Sequence, residues 1–161
     1  RLFSLFEFVY LFKKANDKDK KRIYTLCLNN TNFINNWDLV DASAGHIVGA
    51  YLFTSDKKQL NKLAKSKNLW ERRVSILSTS YFIGNNKFVD ALNIAEILLD
   101  DDEDLIHKAI GWMLREIGKR NIELEERFLG KHYKSMPRTA LRYAIEKFPE
   151  GKRKKYLKGE L

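Results

Sequence analysis

Trp37 and Asp41 stand four residues apart in the segment Asn35-Asn36-Trp37-Asp38-Leu39-Val40-Asp41. On a helix that spacing places an indole and a carboxylate on one face, one turn from each other. Val40, Ala44 and Val48 give the same helix an apolar side, so Asp41 sits at the edge of a core. Asp38 is better placed to serve the exposed N–H groups of the helix start. A carboxylate held mid-helix beside an indole is locally unfavourable, which makes it a candidate for electrostatic chemistry. A structural salt bridge to an arginine fits the spacing equally well.

Two further tryptophans are followed by arginine at helical spacing: Trp70 by Arg73, and Trp112 by Arg115. An arginine near an indole can stack on it, bind phosphate or pair with a carboxylate. Solvated arginines beside core tryptophans fit as well. Basic residues recur in Lys18-Asp19-Lys20-Lys21-Arg22, Lys57-Lys58, Lys62, Lys65, Lys67 and Lys152-Arg153-Lys154-Lys155. The net charge of +9 favours a polyanionic partner, of which nucleic acid is the commonest. The last run reads as a solvated tail.

Other chemistries find less support. His46, His107 and His132 are scattered without ligand spacing, and Asp100-Asp101-Asp102-Glu103-Asp104 lacks the glycine and spacing of a calcium loop. The acidic run instead opens a helix, where negative charge is favourable. No metal and no cofactor are expected, and no phosphate-cradling or dinucleotide fingerprint is present. Cys27 is the only cysteine and lies among apolar residues, as a small buried hydrophobe does. A disulfide within the chain is thereby excluded, which points to a reducing, cytoplasmic setting.

These residues need elements to hold them, and the pattern is helical throughout. Apolar residues make up 44% of the 161 and recur at spacings of three and four, with only Pro137 and Pro149 as breakers. Helices are expected over about 2–14, from an Asp17 cap to 29–30, over 36–53 and 56–65, from near Asn68 through Trp70, Val74, Leu77 and Tyr81, and over 87–99, 103–120 and 122–129. The last runs from Pro137, in its first turn, to Phe148. The opening run Leu2–Phe12 is interrupted by Glu7 and reads as a buried helix, neither a membrane span nor a signal peptide. The three tryptophan units, spaced by 33 and then 42 residues, suggest helical pairs stacked as HEAT-like repeats, with a plain bundle as the alternative. The expected architecture is all-α, a single domain over 1–161 whose HEAT-like repeats form a curved solenoid. The chain starts at Arg1 inside a helix, so further N-terminal helices are expected to be missing.

The blocks Asn36-Trp37-Asp38-Leu39-Val40-Asp41, Asn68-Leu69-Trp70-Glu71-Arg72-Arg73, His107-Lys108-Ala109-Ile110-Gly111-Trp112-Met113-Leu114-Arg115-Glu116 and Met136-Pro137-Arg138-Thr139-Ala140-Leu141-Arg142-Tyr143-Ala144 resemble, in order, the AlkD family of DNA alkylation-repair glycosylases. The resemblance implies that Asp41 is the catalytic carboxylate. By the same likeness Trp37 and Trp112 border the lesion nucleotide, and Arg73 lies by the DNA backbone. It further implies excision of N3- or N7-alkylated purines from double-stranded DNA. A monomer is expected, and with no sufficiently long apolar run no membrane partner is. Asn36 departs from members that carry an aromatic there. A non-enzymatic scaffold binding nucleic acid or protein accounts for charge and repeats without using Asp41.

Overall fold

The computed structural model describes residues 5–161, so the start of the expected first helix, at Leu2, Phe3 and Ser4, lies outside the described residues. Ten helices follow, with no strand among the described residues. They are α1 (Leu5–Lys14), α2 (Asp17–Asn29), α3 (37–53), α4 (Lys58–Ala64), α5 (Leu69–Gly84), α6 (Val89–Ile97), α7 (Asp104–Gly118), α8 (Ile122–His132), α9 (Arg138–Ala144) and α10 (Glu150–Lys158). Short 3₁₀ turns cover Thr31–Phe33 and Ile145–Lys147.

The caps explain where these helices begin. Asn16, Asn36, Asn68 and Asn121 each accept a backbone N–H of the following first turn, satisfying a donor that the helix itself leaves orphaned. Asn16, rather than Asp17, therefore caps α2. Pro137 also lies one position earlier than expected: its extended backbone makes it the residue before α9 instead of part of the first turn. The basic C-terminal run is no tail. Pro149 leads into α10, which buries Tyr156 against Tyr133 and Phe148 and ends on left-handed Gly159.

Helices α3, α5, α7 and α9 pack side by side as one layer, with α4, α6 and α8 against its other side. Contacts between neighbours in the inner layer keep a nearly constant offset: Asp41 meets Arg73 and Arg73 meets Leu105, each 32 residues on, and Arg115 meets Glu146, 31 on. Equivalent levels are joined throughout, so the inner helices run parallel and the molecule is a helical-repeat solenoid. The tryptophans do not share that register. Trp70 packs on the hydrophobic core, whereas Trp112 lies about two turns further along its helix than the Asp41–Arg73–Leu105 level. The true period was therefore hidden by residues of different function that happen to be the same type.

Close approach in the inner layer depends on glycine. A Cβ at Gly49 would lie 2.1 Å from the Ser78 carbonyl oxygen, and one at Gly111 would lie 2.4 Å from both the Ala140 carbonyl oxygen and Tyr143 Cβ. Gly49 ends a π turn, Ala44–Gly49, inserted between the α-helical parts Trp37–Ser43 and Ala50–Phe53 of α3. Such an insertion lets one helix present two differently rotated faces, and it is frequent where a helix carries a functional residue.

Candidate active site

Four inner helices contribute to a cavity of about 430 Å³ lined by Trp37, Asp41, Arg73, Leu105, Lys108, Trp112, Arg115 and Tyr143. All four residues singled out in the sequence, Trp37, Asp41, Arg73 and Trp112, are brought together here. Asp41 projects from the first turns of α3, whose start is fixed by the Asn36 cap. Asn36 thus has a structural task of its own.

Arg73 orients the carboxylate. Its Nε donates to Asp41 Oδ1 at 2.9 Å and its Nη2 donates to Oδ2 at 2.8 Å, a two-pronged pairing that fixes the plane of the carboxylate. Its Nη1 donates to the Leu105 carbonyl on α7. The pair is secluded, with side-chain exposures of 6% for Arg73 and 18% for Asp41. Both readings of Asp41 are therefore combined in one geometry: the carboxylate has a structural arginine and still borders the cavity. The Arg73 fork is spent mainly on the protein, because the residue is buried and three of its nitrogens donate internally.

The indoles differ. Trp37 is half exposed at the rim, while Trp112 is partly buried and packed on the core. Trp70 takes no part in the cavity. Arg72, its neighbour, pairs with Asp101 at 2.6 Å, so part of the acidic run serves to tie the α6–α7 turn to α5. Among the described residues no group of His, Cys, Asp or Glu is arranged to hold a metal ion. Burial pushes the Cys27 thiol up to about 11, which leaves it a poor nucleophile.

Lys108 and Tyr143 were not among the residues picked from the sequence. The signal for Lys108 was its place one turn before Trp112, on the same face of α7. Tyr143 had no such signal. It reaches the cavity because α9 packs at Gly111. Arg115 lies at the far wall, where its Nη1 donates to Glu146.

The family model described as DNA alkylation repair enzyme matches residues 6–148. The chain belongs to that family. No curated protein matches this DNA alkylation repair family member. Its fold is similar to that of a solved structure titled as a predicted DNA alkylation repair enzyme from Enterococcus faecalis. That likeness has 19% identity and a TM-score of 0.59, over 91% of this chain and 76% of the other.

Proposed function

We propose that this member of the DNA alkylation repair family is a monofunctional DNA glycosylase that releases N3- or N7-alkylated purines and leaves an abasic site. What supports the reading is the meeting of one oriented carboxylate, two indoles and several cations at a single cavity. A purine alkylated at N3 or N7 is cationic and already a good leaving group. When the C1′–N bond breaks, its electron pair leaves with the base, which becomes neutral, and positive charge grows on the deoxyribose. A fixed carboxylate stabilises that charge without having to reorganise, and also orients the water that attacks C1′. The water then gives up a proton to solvent.

In this mechanism Asp41 is the stabilising group and Arg73 holds its oxygens in place. Arg73 is buried and its fork is taken up by Asp41 and Leu105, so it acts on the bound strand through the carboxylate that it positions. The indole faces of Trp37 and Trp112 attract the cationic base and sugar. No general acid is required for so good a leaving group, and no amine is used as a nucleophile.

The decisive experiment measures methylated purine freed from alkylated duplex DNA. Asp41→Asn should lower the excision rate by about 10²–10³-fold, the loss typical of removing one group that stabilises developing charge. Duplex binding should stay close to wild type. Undiminished excision by Asp41→Asn would remove the residue from its role, and binding of DNA without any base release by the wild type would leave only a scaffold.

A further inference from the structure

A nucleotide laid against Asp41 carries a phosphate that the carboxylate repels, so the site also needs a cation able to reach that phosphate. Arg73 is buried and donates to Asp41 and Leu105. Arg115 is 17% exposed and donates to Glu146. Lys108 differs from both: its side chain is 41% exposed, and it lines the cavity from the wall opposite α3.

We propose that Lys108 binds the phosphate of the nucleotide undergoing excision, an assignment that rests on the glycosylase reading above. Its Nζ lies 2.7 Å from Asp104 Oδ2, and that aspartate is itself 57% exposed. A solvent-exposed pair of this kind contributes little, so the ammonium can exchange its carboxylate for a phosphate oxygen. The hydrogen bond that Lys108 donates to Asp104 raises its amine above the ordinary value, which keeps it a cation and unsuited to nucleophilic attack. Trp112 stands one turn further along the same face, so ammonium and indole border the cavity together.

The cavity thereby acquires a polarity. Its α3 wall is negative at Asp41 and its α7 wall positive at Lys108. The reacting nucleotide has the same two charges in complementary order, growing positive at C1′ and negative at its phosphate. Only one orientation satisfies both walls, with sugar toward Asp41 and phosphate toward Lys108. Screening is weaker in such a partly secluded cleft than in bulk water, which strengthens the preference.

The test uses the full chain and a duplex oligonucleotide carrying one tetrahydrofuran abasic-site analogue, with affinity measured across a range of potassium chloride concentrations. Lys108→Gln should flatten the dependence of log Kd on log salt by about one, the signature of a single lost phosphate contact. Lys108→Arg should keep the wild-type slope, and Asp104→Asn should not reduce it. Since Lys108 is a surface residue, thermal melting of each variant should match wild type. A wild-type slope in Lys108→Gln, or an equal loss in Asp104→Asn, overturns the assignment. So does covalent trapping of Lys108 on abasic DNA by borohydride, because it would make the amine a nucleophile. If the wild type binds but frees no base, the glycosylase reading fails while the salt slope still judges Lys108.

Discussion

At the scale of the residue, the most unusual group outside the cavity is Glu125. It is 1% exposed on α8, and its Oε1 has no hydrogen-bond partner. Burial, reinforced by the nearby Glu126 and opposed by Arg115, pushes its carboxyl up to about 8. The folded protein therefore holds the proton more tightly than the unfolded chain, where the ordinary value is 4.5. The stability linked to that proton is complete below pH 4.5 and is lost as pH rises through about 8. Glu125→Gln keeps the shape and removes the titration. Its melting temperature should fall less than that of wild type as pH rises from 4.5 to about 8, and parallel curves would show that Glu125 is ionised at little cost. Asp41 shows the other fate of a secluded carboxylate. It keeps an arginine, and replacing that acid by an amide leaves Arg73 with a weaker acceptor, a loss of about 1–3 kcal/mol.

At the scale of the element, the helices were legible because their apolar spacing acts locally. The starts near Asn36 and Asn68 were read from the chain, and the structure adds that both asparagines cap their helices. The end of the chain was misread for a physical reason. Lys152-Arg153-Lys154-Lys155 is strongly charged, and the single aromatic that anchors it, Tyr156, gives no periodic apolar signal. The repeat register was equally hidden, since it is set by contacts such as Gly111 against Ala140 and Tyr143 and not by repeated residue types. That contact is testable. Gly111→Ala places a methyl group where the α9 backbone lies, so α9 must shift, and overpacking of this kind costs about 1–3 kcal/mol. Excision should fall along with the melting temperature, because Tyr143 moves with α9. A variant with wild-type melting and full activity would mean that the α7–α9 approach is looser than its geometry indicates.

At the scale of the whole molecule, solenoid repeats bury their faces on their neighbours. Helix α10 packs on the preceding helices in this way, with Lys154, Lys155 and Lys158 exposed and Tyr156, 4% exposed, packed edge-on against Tyr133 and Phe148. Tyr156→Ala should cost about 3 kcal/mol of stability, comparable to other deletions of a buried aromatic. At temperatures where the variant remains folded its excision rate should match wild type, since Tyr156 does not line the cavity. A variant that melts like wild type would show that the docking of α10 adds nothing to stability. The four residues of the candidate site come from three helices distant in sequence; spacing singled out Trp37 and Asp41, and the family resemblance was needed to choose Arg73 and Trp112 over Trp70 and Arg115. Their common cavity required the stacking order, and the contribution of Tyr143 required the approach of α9 as well.

The bonds from Asp41 through Arg73 to the Leu105 carbonyl stitch α3, α5 and α7 at one level. Three successive repeats are thus fastened by a single guanidinium directly beneath the cavity. Splaying any pair of them stretches a hydrogen bond that aims the carboxylate. Mechanical deformation of the stack and alignment of its reactive oxygen are consequently one and the same coordinate.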